Sequence, residues 1–288
     1  MREASFYKPL KADAVQCLLC PHFCKIEDGK RGKCGVRQNK NGKLYTLVYG
    51  RLAAFAVDPI EKKPLFHFHP GKNAFSVATV GCNFSCNFCQ NYTLSQAPRQ
   101  SNSIQGETLS PSQIVKMAQK ADCNILAYTY SEPTIAYEYW LDTMRLSKAE
   151  GLFNVFVTNG FINPGPLKAL APYLDAANID LKGFSDGFYQ KQGGRLQPVL
   201  DSIRLYYKLG IHIEITTLLI PGENDSLKEL RQIANFIATI GKEVPWHISR
   251  FFPMYKLLSK PATPIESLRL AAEVGKATGL KHVHLGNV

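Results

Sequence analysis

Cys82-Asn83-Phe84-Ser85-Cys86-Asn87-Phe88-Cys89 places three thiols within eight residues, spaced C-x3-C-x2-C. The preceding stretch, Ala74-Phe75-Ser76-Val77-Ala78-Thr79-Val80, is apolar and β-rich and reads as a buried strand that Gly81 ends. The thiols therefore sit on a loop at a strand's carboxyl end, where open and barrel α/β folds bind ligands. Three cysteines are one short of a closed tetrahedral zinc site, and one short of ligating every iron of a cubane. A [4Fe–4S] cluster on three thiolates leaves one iron open to an outside ligand. Buried or redox-paired cysteines, and zinc completed by a remote residue, are the other readings at this point.

Beyond this loop the pattern alternates. Strands are predicted over 74–80, 123–130, 153–158, 175–181, 211–219, 245–251 and 282–285. Helices are predicted over about 111–121, 134–150, 164–172, 197–209, 225–240 and 264–278. Ser110-Pro111 and Asn163-Pro164 each set a cap residue before a first-turn proline, and Gly210 and Gly241 fall where helices should stop. Strands alternating with helices of this length make right-handed βαβ units and a parallel sheet. With no nucleotide-binding glycine fingerprint, the α/β class points to an open or partial barrel spanning 74–288.

Residues 1–73 read as a separate Cys-rich extension. Cys17-x2-Cys20-x3-Cys24-x9-Cys34 lies among glycines and charged residues that cannot bury much apolar surface, so a metal is expected to supply the fold. Zinc and an auxiliary iron–sulfur cluster both suit this second site. Leu44–Tyr49 and Leu52–Val57, split by Gly50-Arg51, read as a β-hairpin. Asp58-Pro59-Ile60-Glu61-Lys62-Lys63-Pro64-Leu65-Phe66-His67-Phe68-His69-Pro70-Gly71 reads as an irregular linking loop, with His67 and His69 on its surface or hydrogen-bonded.

The chain has 288 residues, 45% of them hydrophobic, enough for one large domain and an appendage. The net charge of +11 is spread without a basic run of five, and it reads as solvated surface more than as a nucleic-acid footprint. It also suits an anionic substrate or an acidic electron donor. No run of eighteen apolar residues spans a membrane, and the start lacks a signal peptide's apolar core. The expected location is the cytoplasm, where thiols stay reduced. Seven of the eight cysteines fall in two groups, which argues for metal over disulfides.

Residues just after each strand should line the barrel mouth. In Tyr130-Ser131-Glu132-Pro133-Thr134, Glu132 can accept charge-assisted hydrogen bonds from an ammonium group. Thr158-Asn159-Gly160 follows the third strand. Asp180 and Lys182 share a face at the end of the fourth. Near the end of the fifth, Ile220 and Asn224 are candidates to pack on and hydrogen-bond an adenine ring. On the sixth, His247 is expected to reach the substrate cavity.

The C-x3-C-x-aromatic-C loop, with Phe88 in the aromatic place, resembles the signature of the radical S-adenosylmethionine (SAM) enzymes. The resemblance implies that Cys82, Cys86 and Cys89 hold a [4Fe–4S] cluster whose open iron chelates SAM. It implies reductive cleavage to a 5′-deoxyadenosyl radical that abstracts hydrogen from a substrate. Ser131-Glu132 resembles the element that binds the SAM amino group, with Tyr130-Ser131 in place of two glycines. T-N-G and D-L-K resemble elements of pyruvate formate-lyase activating enzymes, which implies cofactor contacts for Asn159, Asp180 and Lys182. Ile220 corresponds to the family's adenine contact.

Over nearly the whole chain, C-x2-C-P-H-x-C, D-P-I-E-K-K-P-L-F-H-F, T-x-G-C-N-F-x-C-x-F-C-Q-N and Y-S-E-P-T are similar to the AmmeMemoRadiSam system radical SAM proteins. That implies a partial (β/α)6-type barrel, Memo-type and AMMECR-type partners and a low-potential donor of flavodoxin or ferredoxin type. It also implies a tail with a further cysteine pair beyond Val288. A glycyl-radical enzyme activase, and a non-enzymatic metal-binding module that contacts nucleic acid, are the alternatives.

Overall fold

The structure is a computed structural model describing residues 1–288. Eight strands form the central sheet and lie side by side in chain order. They are β1 (Ala54–Pro59), β2 (Asn73–Ala78), β3 (Ile125–Tyr128), β4 (Phe153–Thr158), β5 (Ala176–Asp180), β6 (His212–Leu219), β7 (Trp246–Arg250) and β8 (Val283–Gly286). β1 runs antiparallel to β2, and every later pair is parallel. No ladder joins β8 to β1, so the sheet is an open barrel. Six crossover helices follow β2 to β7 in turn: α1 (Pro111–Lys120), α2 (Tyr137–Ala149), α3 (Pro164–Leu170), α4 (Leu196–Lys208), α5 (Leu227–Ile240) and α6 (Ile265–Ala277).

The strand and helix positions expected from the sequence are met within a few residues. β3 is buried along its whole length because both faces of a parallel strand are covered. On α5, Leu230, Ile233, Ala234 and Ile237 recur at the three–four spacing that turns one apolar stripe inward. Ser110 closes a capping box with Gln113 at the start of α1. No helix is long and apolar enough to cross a membrane.

The expected hairpin of 44–49 with 52–57 does not form. Lys43–Thr46 pairs instead with Arg37–Lys40. Arg51–Leu52 pairs with Glu107–Thr108, and 54–59 joins the central sheet as β1. The turn that does form is Asn41-Gly42, with φ of +51° and +74°. Two adjacent left-handed residues give the twist a tight hairpin needs, and Asn-Gly adopts it at little cost. The apolar run of 52–57 identified a strand but not its partner, and in the fold β1 alternates between half-buried and exposed residues. The central sheet consequently begins before residue 74.

The supposed linking loop is the floor of the barrel. Leu65 and Ile60 pack under the sheet against Ala74, Ile125, Ala127, Val155 and Ala176. Phe66 and His67 donate their backbone N–H groups to the two carboxylate oxygens of Glu214 on β6, at 3.0 and 2.8 Å. Nε2 of His212 and of His247 lie 3.0 and 2.6 Å from the same carboxylate. Burial opposes ionisation of Glu214, but these four partners outweigh it and hold the carboxyl down at about 2.

A carboxyl with a depressed folded pKa contributes stability above its unfolded value and loses it as pH falls through the folded one. The span from 4.5 to about 2 is worth about 3 kcal/mol. Glu214→Gln is therefore expected to flatten the stability profile between pH 5 and 2, as read by urea midpoints. An unchanged slope would remove Glu214 as the floor's anchor.

Candidate functional site

Gly81 carries the chain from β2 into the cysteine loop at φ +105°. A Cβ there would meet Val36 Cγ1 at 2.7 Å and the Cys34 carbonyl at 3.2 Å, so only glycine lets the extension press this close. The loop is held on several sides. Ser85 N–H donates to the Gln192 carbonyl at 2.8 Å, and Asn83 Nδ2 donates to the Phe161 carbonyl at 2.9 Å. Arg99 donates to the carbonyls of Cys82 and Phe84. Phe84 is buried against Phe161 and lies over Gly194, where a Cβ would stand 2.4 Å from its ring.

All eight cysteines are free thiols, so the redox-paired reading is not what this fold adopts. Burial pushes Cys82 well up, and it raises Cys86 to about 11 although Lys182 pulls the other way. A metal cation in the proton's place offsets that cost of burial. Phe84 N–H and Asn159 Nδ2 lie 3.3 and 3.8 Å from Cys82 Sγ, and such donors favour an anionic sulfur. The loop thus fits a thiolate-held iron–sulfur group. No group of three or more His, Cys, Asp or Glu side chains stands at the spacing needed to hold a metal ion as the chain is placed.

Glu132 lies beside this loop and is buried. Its Oε1 accepts from Thr134 N–H at 3.0 Å and Thr158 Oγ1 at 2.7 Å. Its Oε2 accepts from Asn159 N–H at 2.9 Å. Burial raises its pKa, against the pull of these donors. A carboxylate offers about four acceptor sites, so one remains for a further donor. Asn159 also ties Glu132 to the cysteine loop, because its Nδ2 donates to Asn83 Oδ1 at 2.7 Å.

Tyr130 occupies the left-handed region at φ +61°. That conformation is strained for a bulky residue and explains why glycine suits the equivalent position elsewhere. Here the strain is held by the floor: Tyr130 Oη donates to Asp58 at 2.5 Å, and Lys63 lies over its ring at 4.6 Å. Ser131 Oγ donates to the Thr79 carbonyl at 2.6 Å, which joins the strand ends of β2 and β3.

Lys182 Nζ lies 2.7 Å from Asp180 Oδ2, and both are half-buried at the end of β5. Burial would lower the lysine's pKa, but Asp180 and Cys86 raise it and prevail. A fixed cation therefore faces the thiols.

Two expectations are corrected. His247 does not reach the mouth. It is the second residue of β7, so it lies at the amino end, buried and bonded to Glu214. Asn224 offers nothing to an adenine, because its Nδ2 donates to the carbonyls of Lys182 and Leu218 and its Oδ1 accepts from Ile220 N–H. Ile220 itself is fully buried in the core.

Sequence reasoning missed the buried pair of Arg37 and Glu138, 3.2 and 2.6 Å apart through both guanidinium ends. It joins the extension to α2 across 101 residues, and no local spacing announces it. It also missed His22, whose Nε2 lies 2.8 Å from the Asn83 carbonyl.

Residues 76–237 match the family model described as the radical SAM superfamily. Over its full length the chain is 46% identical to an uncharacterized protein of Methanocaldococcus jannaschii, covering 86% of that protein. It is 23% identical over 167 residues to a pyruvate formate-lyase-activating enzyme of Clostridium pasteurianum, which covers 56% of this chain and 67% of that one. Among solved structures it resembles a radical SAM methyltransferase from Sphaerobacter thermophilus in fold. The TM-score is 0.58 at 16% identity, over 77% of this chain and 68% of the other.

Proposed function

The chain belongs to the radical SAM superfamily, which uses a [4Fe–4S] cluster and SAM, and on that premise we propose that it is an enzyme acting on an unidentified substrate, with Cys82, Cys86 and Cys89 as the iron ligands. The observation that carries this is the junction of the three-thiol loop with a buried carboxylate and a fixed lysine at one end of an open barrel. When bound, the reduced cluster and SAM supply the 5′-deoxyadenosyl radical that abstracts hydrogen. The protein's own part is binding and orientation. Glu132 offers its remaining acceptor site to the SAM ammonium. Lys182 places positive charge beside Cys86, and Asp180 fixes that lysine. Asn159 and Ser131 hold Glu132 and the strand ends in register.

Anaerobic reconstitution with iron and sulfide, followed by SAM and a strong reductant, should yield 5′-deoxyadenosine. No deoxyadenosine, with salt-sensitive DNA or RNA binding in its place, would favour a non-enzymatic module. Glu132→Ala is expected to weaken SAM binding by about 1.5–3 kcal/mol, the worth of a charged hydrogen bond, or about ten- to hundredfold in Kd. Equilibrium dialysis reads this directly, and an unchanged Kd would take Glu132 out of the site.

The likeness to a pyruvate formate-lyase-activating enzyme supports a second reading, an activase that acts on a backbone glycine of a protein. A glycyl radical seen by electron paramagnetic resonance on a candidate partner would select it. A flavodoxin or ferredoxin as reductant, and association with Memo-type and AMMECR-type proteins, belong to this proposal and are checked by co-purification.

A further inference from the structure

The reaction proposed above leaves the second group of thiols without a task. Cys17 ends the strand Val15–Cys17, and Cys20 and Cys24 flank a turn in which Phe23 N–H donates to the Cys20 carbonyl at 3.1 Å. Cys34 precedes Gly35, whose N–H donates to the Gly32 carbonyl at 2.8 Å. All four thiols line one cavity of about 20 Å³. Arg37 lines it too, and its buried Nε has no hydrogen-bond partner, although both terminal nitrogens are held by Glu138. A buried N–H donor left unpaired is costly. In a cavity that four cysteines line, it is explained if their sulfurs carry negative charge.

We propose that Cys17, Cys20, Cys24 and Cys34 hold a single zinc ion, and that this ion clamps the Cys82–Cys89 loop from behind. The turn at Cys34-Gly35, with Gly35 at φ +75° and its N–H on the Gly32 carbonyl, suits a tetrahedral four-cysteine zinc site. Binding Zn²⁺ requires the four thiolates to shift from their present places to about 2.3 Å from the ion. The resulting centre is anionic, and Arg37 Nε–H is placed to donate to it.

The clamp follows from what the zinc-bearing turns touch. His22, between Cys20 and Cys24, bonds to the Asn83 carbonyl at 2.8 Å. The Cys34 carbonyl and Val36 close over Gly81. Gly35 packs on Pro98, where a Cβ would meet it at 2.9 Å, and the adjoining Arg99 donates to the Cys82 carbonyl. Both turns that meet at the ion therefore touch the iron loop or the residues flanking it. This second half of the proposal rests on reading Cys82, Cys86 and Cys89 as iron ligands; the zinc assignment does not.

The test uses the full chain, purified anaerobically and reconstituted with iron and sulfide in the presence of Zn²⁺. Metal analysis should find about one zinc and about four irons per chain. Cys20→Ala should lower zinc occupancy by about tenfold or more, and Cys20→His, which keeps a zinc-competent donor, should retain it. If Cys20→Ala does not fold, zinc is withdrawn from the wild type with a chelator instead. Amide exchange over residues 81–90 should then quicken by about tenfold, because an opening that costs less is visited more often. About eight irons with no zinc would overturn the single-ion assignment. Zinc withdrawal that leaves exchange unchanged would overturn the clamp. Missing SAM cleavage with zinc bound and the loop protected would instead strike the enzymatic reading and leave this one in place.

Discussion

Cys86→Ala is expected to abolish cluster binding and SAM cleavage together while leaving the fold intact. Cys86 is the middle thiol of the loop and is buried, so no water or neighbouring side chain takes over its bond to iron. Two thiolates cannot retain a cubane for which four are usual and three already leave an iron open. The loop itself does not depend on this sulfur. Ser85 is held by Gln192, Asn83 by Phe161, and the carbonyls of Cys82 and Phe84 by Arg99. Iron content, the visible absorption of the cluster and deoxyadenosine yield should all fall to background, with the circular dichroism of the wild type retained. Cleavage that survives in this variant would end the assignment of the iron loop.

The second large effect is on stability. Glu138→Gln is expected to cost about 3–5 kcal/mol, because it strands a buried guanidinium. The Arg37 and Glu138 side chains are both 2% exposed. Glu138 also accepts from Ser5 N–H at 2.9 Å, so one carboxylate ties both the chain start and the extension to α2. Its removal leaves Arg37 charged, since a guanidinium does not deprotonate. Urea denaturation of wild type and variant under the same metal loading measures the difference. A cost below about 1 kcal/mol would mean that water or another acceptor satisfies Arg37, and that the pair is no better than one on the surface. In the zinc-free chain, replacing both partners by apolar residues of similar volume should recover much of the loss, because the penalty comes from the unpaired charge.

The parts of the site that were legible in the sequence are those that short range dictates. The three-thiol spacing, the strand before it and the carboxylate after β3 are each read within ten residues. The alternation of apolar strands with capped helices located the open barrel, since period and caps are local properties. Asn41-Gly42 was equally local, yet the flanking Arg37–Lys40 is polar and does not look like a strand, so the apolar stretches beyond drew the pairing to the wrong place. His247 was misplaced because alternation gives the face of a strand residue but not its height along the barrel. The predicted start at 245, within one residue of Trp246, already set that height at the amino end, away from the mouth. The floor was out of reach because Glu214 lies 148 residues from Phe66, and nothing in either segment names the other.

The floor also bears on the order in which the chain can complete itself. Successive strands are sheet neighbours, so pairing can follow synthesis from the ribosome one unit at a time. The segment carrying Phe66 and His67 must wait for Glu214 before its amide groups are satisfied. A nascent chain that has not yet reached β6 holds Phe66 and His67 without that grip, although Asp58 and Lys63 are already set by the ladder of β1 with β2 and by their own ion pair. The base is therefore a late acquisition, shut only when the far half of the polypeptide arrives.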